Sequence, residues 1–241
     1  MIVFLHSQAH SYYLVLMLSL GASAIWSAIS LLRKLMQEGG LAQATATLNK
    51  PLAEVPWLDL VSQVVSISLA LVPVFLAIYF LTQDGISLGL KPKWSDLKQV
   101  VLVAAGVGIP GIGLYFLALE LGLTARVIPS ALGDNWWTIP VLLLAALKAG
   151  LLEEVIAVGF FMSKLKLWKP EVSVWGLIVL SALFRASYHS YQGFSAFVGN
   201  FVMGLVFAFW YSKTKRVAPL VLAHFLMDAV VFIGYPMVFG S

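Results

Sequence analysis

Two adjacent glutamates, Glu153 and Glu154, lie inside an apolar stretch of the chain. The stretch covers about residues 137–162 and exceeds the roughly 20 residues that a helix needs to cross a bilayer. A carboxylate in hydrocarbon is costly unless it faces a polar interior or a partner, and two neighbouring carboxylates resist joint ionisation. The pair therefore predicts a polar site inside a bundle of membrane helices, with partners supplied by other helices.

The composition supports a membrane protein. Of the 241 residues, 61% are hydrophobic and 11% are charged, whereas soluble domains are nearer about 25% charged. Long apolar runs favour membrane helices over a β-barrel, whose strands would show weak alternation. Cysteine is absent, which excludes disulfides and thiolate metal sites. No run of lysine and arginine suggests a nucleic-acid partner, so the bilayer is the expected environment.

The apolar runs predict an all-α polytopic membrane protein with about seven transmembrane helices, within a range of six to eight. We expect one membrane domain over 1–241, with a motif-bearing core at about 137–239. Polar loops are expected at 35–56 and 122–136. The predicted spans are 12–32, 57–81, 97–121, 137–162, 172–189, 194–211 and 218–239.

Basic residues are distributed unevenly between alternate loops, which predicts the orientation of the chain. Loops on one side carry nine lysines and arginines and those on the other carry four. By the positive-inside rule, the N-terminus is expected in the cytoplasm. The nine are Lys91, Lys93, Lys98, Lys164, Lys166, Lys169, Lys213, Lys215 and Arg216, and the four are Arg33, Lys34, Lys50 and Arg126.

Two later spans carry ionisable side chains in pairs four residues apart. Arg185 and His189 share one face of the predicted fifth span, and His224 and Asp228 share one face of the seventh. Ionisable groups inside a membrane usually face the bundle interior. If these helices meet the glutamate pair, they form one site. Because neighbouring residues on a helix point about 100° apart, we expect at most one of the two glutamates to aim squarely at it.

Such a set of side chains suits hydrolysis. A buried carboxylate can take a proton from water, and a histidine can share that water or stabilise an oxyanion. The donors Glu153, His189, His224 and Asp228 are also compatible with a divalent metal such as zinc, although the His-Glu-x-x-His signature is absent. Asn200, in the sixth span, is a candidate supporting residue.

Three motifs in order resemble the CAAX protease and bacteriocin-processing family of intramembrane proteases, which includes the type II CAAX prenyl endopeptidases. They are Glu153-Glu154, the segment from Arg185 to His189 read as Arg-Ala-Ser-Tyr-His, and the segment from His224 to Asp228 read as His-Phe-Leu-Met-Asp. The resemblance covers about residues 142–231. It implies a hydrolase that cleaves a membrane-associated peptide or protein substrate, prenylated in some members of the family.

The resemblance also implies roles for the motif residues. Glu153 would activate water with help from His189, while His224 and Asp228 would stabilise the oxyanion. We expect Asp228 to orient His224, because a carboxylate donates a hydrogen bond only when it is protonated. Glu154 would support the site. The family was first described as metal-dependent, so the metal question stays open at this point.

Two positions depart from the family pattern. Val158 stands where the family usually has arginine, and Arg185 stands where its second motif usually begins with phenylalanine. We hypothesise that Arg185 supplies the missing guanidinium from the next helix. Two other functions remain open: a proton- or ion-coupled transporter or channel, in which the carboxylates relay protons, and a membrane scaffold without catalytic activity.

Overall fold

A computed structural model describes residues 2–234, with side chains described from residue 9 onward. The last part of the predicted seventh span, residues 235–239, lies outside the described residues. The helices are α1 (Ile2–Met17), α2 (Leu20–Met36), α3 (Gly40–Gln43), α4 (Pro56–Ala70), α5 (Val72–Gln83), α6 (Leu97–Glu120), α7 (Thr138–Glu153), α8 (Phe161–Trp168), α9 (Val174–His189), α10 (Phe194–Thr214) and α11 (Ala218–Ala229).

The all-α polytopic membrane class is confirmed. Among the described residues, three helical segments are long and apolar enough to cross a membrane, namely Pro56–Gln83, Trp94–Glu120 and Phe194–Thr214. The N-terminal helix pair adds a fourth if it is one span. Large apolar side chains such as Trp26, Phe75 and Ile109 are exposed on these helices, as expected for surfaces that face lipid. The total of seven spans stays a prediction.

The first predicted span is not one straight helix. The chain bends by 49° between Ala9–Met17 and Leu20–Met36. At the bend, the Ser19 hydroxyl donates to the Val15 carbonyl at 2.6 Å. This local bond competes with regular helical pairing, which is the usual effect of serine in a helix.

Two regions that the sequence assigned to loops contain strands. β1 (Thr45–Asn49) and β2 (Arg126–Ser130) form a parallel two-stranded ribbon. Its register pairs Thr45 with Arg126 and Asn49 with Ser130. The purely helical expectation missed this ribbon because each strand is only five residues long and the pairing joins distant parts of the chain.

The helices of the motif-bearing core cross at close range. A Cβ at Gly150 of α7 would lie 2.8 Å from the Val221 carbonyl oxygen of α11, and one at Gly204 of α10 would lie 2.7 Å from Cα of Ala182 on α9. Glycine permits both approaches because it has no side chain. The segment Glu154–Phe160, a π-helix that continues α7 into α8, is buried along its whole length. It forms the centre of the main hydrophobic core.

Candidate active site

The glutamate pair lies where α7 changes from an α-helix to a π-helix. Glu153 is the last residue of α7, and Glu154 is the first residue of the π-helical turn. Such turns often mark functional sites. Both residues are buried, and Glu154 is completely so. The Ser181 hydroxyl of α9 donates to the Ala157 carbonyl of the π-helix at 2.6 Å, which fixes α9 against this turn.

Arg185 of α9 joins the two carboxylates. Its Nη1 group donates to Oε2 of Glu153 at 3.1 Å, and its Nη2 group donates to Oε1 of Glu154 at 2.5 Å. The guanidinium is fully buried and lies 5.5 Å from the centre of the Phe207 ring. Both glutamates therefore contact the same guanidinium, although the sequence predicts that at most one of them aims squarely at a common site. The reason is that the planar guanidinium presents two separate donors and can bind two acceptors at once.

Three groups from one face of α9 converge on a single oxygen, Oε2 of Glu153. Besides Arg185, the Tyr188 hydroxyl donates to it at 3.1 Å, and Nε2 of His189 lies 3.1 Å away. No hydrogen bond from a described residue reaches the other oxygen, Oε1. The Glu153 side chain keeps 11% of its surface exposed and that of His189 keeps 18%. One oxygen of Glu153 is thus held in place while the other remains available.

Tyr188 is the residue of this site that the sequence motifs missed. It is buried and precedes His189 directly. Its position three residues after Arg185, on the same helix face, was the signal that could have identified it.

His224 of α11 lies between two carboxylates. Its Nδ1 atom is 2.7 Å from Oε1 of Glu154, and its Nε2 atom is 3.5 Å from Oδ2 of Asp228. Glu154 therefore makes the closer contact to the ring, whereas the sequence assigned the orienting role to Asp228. The same Glu154 oxygen also accepts from Arg185, so this carboxylate links α7, α9 and α11.

The structure brings together the five predicted catalytic residues and Arg185, but it does not bond Asn200 to them. The Asn200 amide donates to the Ala196 carbonyl of its own helix at 3.0 Å. Among the described residues, no hydrogen bond joins Asn200 to the glutamate pair, and its supporting role stays a prediction.

Helix α2 holds the turn that follows His189. Ser27 is buried, and its hydroxyl accepts the Tyr191 N–H at 2.7 Å and lies 3.0 Å from the Ser190 hydroxyl. Lys34 donates to the Tyr191 carbonyl at 2.6 Å. Since His189 ends α9 at this turn, these contacts fix the end of the helix that carries the site histidine.

The predicted metal ligands do not form a metal-binding arrangement. In the part of the chain that the structure describes, no group of three or more histidine, aspartate or glutamate side chains is placed to hold an ion. Each of the two histidines faces a carboxylate at hydrogen-bond distance, and the Arg185 guanidinium occupies the space between the glutamates. These donors therefore do not fit a zinc site as they stand, and metal binding stays a prediction.

Part of the chain matches a known protein family. Residues 135–230 match the family described as type II CAAX prenyl endopeptidase Rce1-like. The match covers less than half of the chain and includes all seven residues of the site, namely Glu153, Glu154, Arg185, Tyr188, His189, His224 and Asp228. It confirms the resemblance drawn from the three sequence motifs. Neither the curated proteins nor the solved structures give a significant match.

Proposed function

We propose that this chain, whose residues 135–230 match the Rce1-like family, is an intramembrane endopeptidase in which Glu153 activates water. The observation that carries the proposal is the asymmetry of the Glu153 carboxylate. Arg185, Tyr188 and His189 all contact Oε2, which leaves Oε1 to accept a proton. A general base needs this combination of a fixed orientation and a free acceptor.

In the proposed reaction, water loses a proton to Oε1 of Glu153 and its oxygen attacks the carbonyl carbon of a peptide bond. His189, beside Glu153 and partly exposed, shares the attacking water. The carbon–nitrogen bond then breaks, and the proton held by Glu153 passes to the leaving amine. The protein supplies the base and its orientation through its own side chains, and no step depends on a metal ion.

His224 is the proposed donor to the oxyanion. Its Nδ1 atom is engaged by Glu154 at 2.7 Å, whereas Nε2 has only a 3.5 Å contact with Asp228. Nε2, when it carries a proton, is therefore the nitrogen that can donate a hydrogen bond to the developing negative charge. Preorganised donors of this kind contribute about 2.7–4 kcal/mol to lowering the barrier of acyl transfer.

The proposed substrate is a membrane-associated peptide or protein. The site lies among helices whose outer surfaces are apolar, so a substrate anchored in the bilayer reaches it by lateral diffusion. The matching family is described as prenyl endopeptidases, and a lipidated substrate is therefore the first class to test. The cytoplasmic location of the N-terminus stays a prediction.

Mass spectrometry of membrane-protein termini tests the proposal. One strain expresses the intact protein and a second expresses Glu153→Gln at a matched level. A third expresses Glu120→Gln, which changes an exposed glutamate at the end of α6. We expect processed ends in the first and third strains and their loss in the second. Identical ends in all three strains would contradict proteolysis and favour a transporter or a scaffold.

A further inference from the structure

The parallel ribbon of β1 and β2 has two edges that differ. Ala44 of the segment before β1 accepts the Arg126 N–H at 2.9 Å. Residues alternate along a strand, so Arg126 and Ile128 direct their backbone groups toward β1, and Val127 directs its own away. The Val127 N–H does point to the outside, where it donates to the Tyr115 hydroxyl at 3.0 Å. This bond confirms the alternation.

The outer edge of β2 offers no free donor. The N–H of Val127 is engaged by Tyr115, and the next outward residue is Pro129, which has no N–H. Proline is a typical means by which proteins prevent pairing at a strand edge, and the Tyr115 hydroxyl engages the other outward N–H. A further strand therefore cannot pair regularly with this side of the ribbon.

The outer edge of β1 is open. By the same alternation, Thr45 and Thr47 direct their N–H and C=O groups away from β2. The described part of the chain provides no third strand for this edge and no hydrogen bond that closes it. Thr45 is exposed and Thr47 is partly exposed. Isolated two-stranded ribbons are only marginally stable, and an edge with free donors and acceptors is ready to pair with another strand.

The ribbon is hydrogen-bonded to the turn that follows His189. The N–H of Ala125, just before β2, donates to the Gln192 carbonyl at 2.8 Å, and the Thr124 hydroxyl donates to the same carbonyl at 2.9 Å. Gln192 is three residues after His189. Next to it, Gly193 has φ of +119°, and a Cβ there would lie 2.7 Å from Cα of Thr124. The turn and the strand are therefore closely packed.

The ribbon also meets the end of the helix that carries His224. Strand β2 contacts the segment Val230–Gly234, which follows Asp228 on α11. Strand β1 contacts the turn Ser190–Gln192. The ribbon thus connects the turn that follows His189 with the segment that follows α11, and a strand added to β1 would run beside this connection.

We propose that the open edge of β1 binds the substrate of the proposed endopeptidase as an extended strand, through the backbone groups of Thr45 and Thr47. This proposal rests on the proposed function. Backbone pairing of this kind holds a peptide in extended form with little dependence on its side chains. It presents a peptide bond to Glu153 without unfolding a helix inside the site. A membrane substrate would accordingly be cleaved where it is extended and not where it is helical.

Removal of the Thr47 N–H, which points away from β2, tests the proposal. Thr47→Pro removes one donor from the open edge and leaves the groups that pair with β2 intact, since proline is tolerated on outward edge positions. Thr47→Ala keeps the N–H and is the matched control. The yield of processed termini is measured in strains that express each variant, the intact protein and Glu153→Gln, and thermal unfolding of the purified variants checks the fold. We expect about a fivefold to tenfold loss of processing for Thr47→Pro, as one backbone hydrogen bond would give, and a clearly smaller loss for Thr47→Ala, which keeps the N–H.

The outcomes separate this proposal from the proposed function. Loss of processing in Glu153→Gln but full processing in a folded Thr47→Pro overturns strand pairing alone, whereas processing that survives Glu153→Gln overturns proteolysis. If Thr47→Pro changes the oligomeric mass of the protein but not its processing activity, the edge of β1 binds a second copy of the chain. That result also overturns the pairing of this edge with substrate. If Thr47→Pro does not fold, a peptide copied from the processed site decides. A single N-methyl group is placed on each backbone nitrogen of this peptide in turn, and the competition of each peptide with the substrate is measured. Competition should be lost when the methyl group is on alternate residues. Equal competition by all the N-methylated peptides would refute pairing.

Discussion

Replacement of Arg185 by lysine isolates what the guanidinium contributes to the buried site. Arginine donates separately to Glu153 at 3.1 Å and to Glu154 at 2.5 Å, and all three side chains are nearly or fully buried. Lysine keeps the positive charge but concentrates it on one nitrogen. The ammonium can approach one carboxylate closely, and the other then loses its charge-assisted bond.

The expected cost follows from this loss. A hydrogen bond to a charged group contributes about 1.5–3 kcal/mol, and a buried charged acceptor that loses its donor costs a comparable amount. We therefore expect Arg185→Lys to lower the free energy of unfolding by about 1.5–3 kcal/mol. For a chain of this length, that corresponds to a decrease of roughly 5–10 °C in the unfolding temperature. Processing of substrate should also decrease, because Glu153 loses one of the groups that orient it.

Thermal unfolding in detergent, followed by tryptophan fluorescence, measures the effect. The matched control is Arg216→Lys, which changes the arginine of a second, bidentate ion pair. There, the Arg216 guanidinium bonds Asp96 at 2.6 and 2.9 Å but keeps 23% of its side chain exposed. Water can replace a lost bond at that position, so we expect a smaller decrease. An Arg185→Lys variant that is fully active, or that unfolds no earlier than Arg216→Lys, would refute the reasoning.

Two further changes test the surroundings of the site. Tyr188→Phe removes the hydroxyl that donates to Glu153 at 3.1 Å. We expect the rate at which processed ends appear to fall about tenfold, which corresponds to about 1.4 kcal/mol in the barrier. An unchanged rate would show that the hydroxyl has no part in orienting the base. Ser27→Ala leaves the Tyr191 N–H without the acceptor it has at 2.7 Å, and the free energy of unfolding should fall by about 1–3 kcal/mol. Ser27→Thr, which keeps the hydroxyl, is the control, and equal unfolding temperatures for Ser27→Ala and the intact protein would contradict the role of α2.

The sequence predicted which residues form the site better than it predicted the contacts between them. Arg185 and His189 were expected on one helix face, and the hypothesis that Arg185 supplies a guanidinium from the next helix agrees with its bonds to both glutamates. The sequence did not indicate that Glu154 makes the closer contact to His224. Helical periodicity gives the direction of a side chain around its own helix, but the pairing of two buried groups depends on how the helices cross.

The sequence by itself determined the membrane class and the positions of the buried charges, because both depend on local composition and spacing. Only the tertiary structure decided which groups meet. Ser27 and Tyr191 are 164 residues apart, and the two strands of the ribbon are separated by the three helices α4, α5 and α6 and the chain between them. Such contacts form because buried polar groups and strand edges must find partners wherever the packed helices place them. That choice is made by the whole fold, and no single segment of the chain contains it.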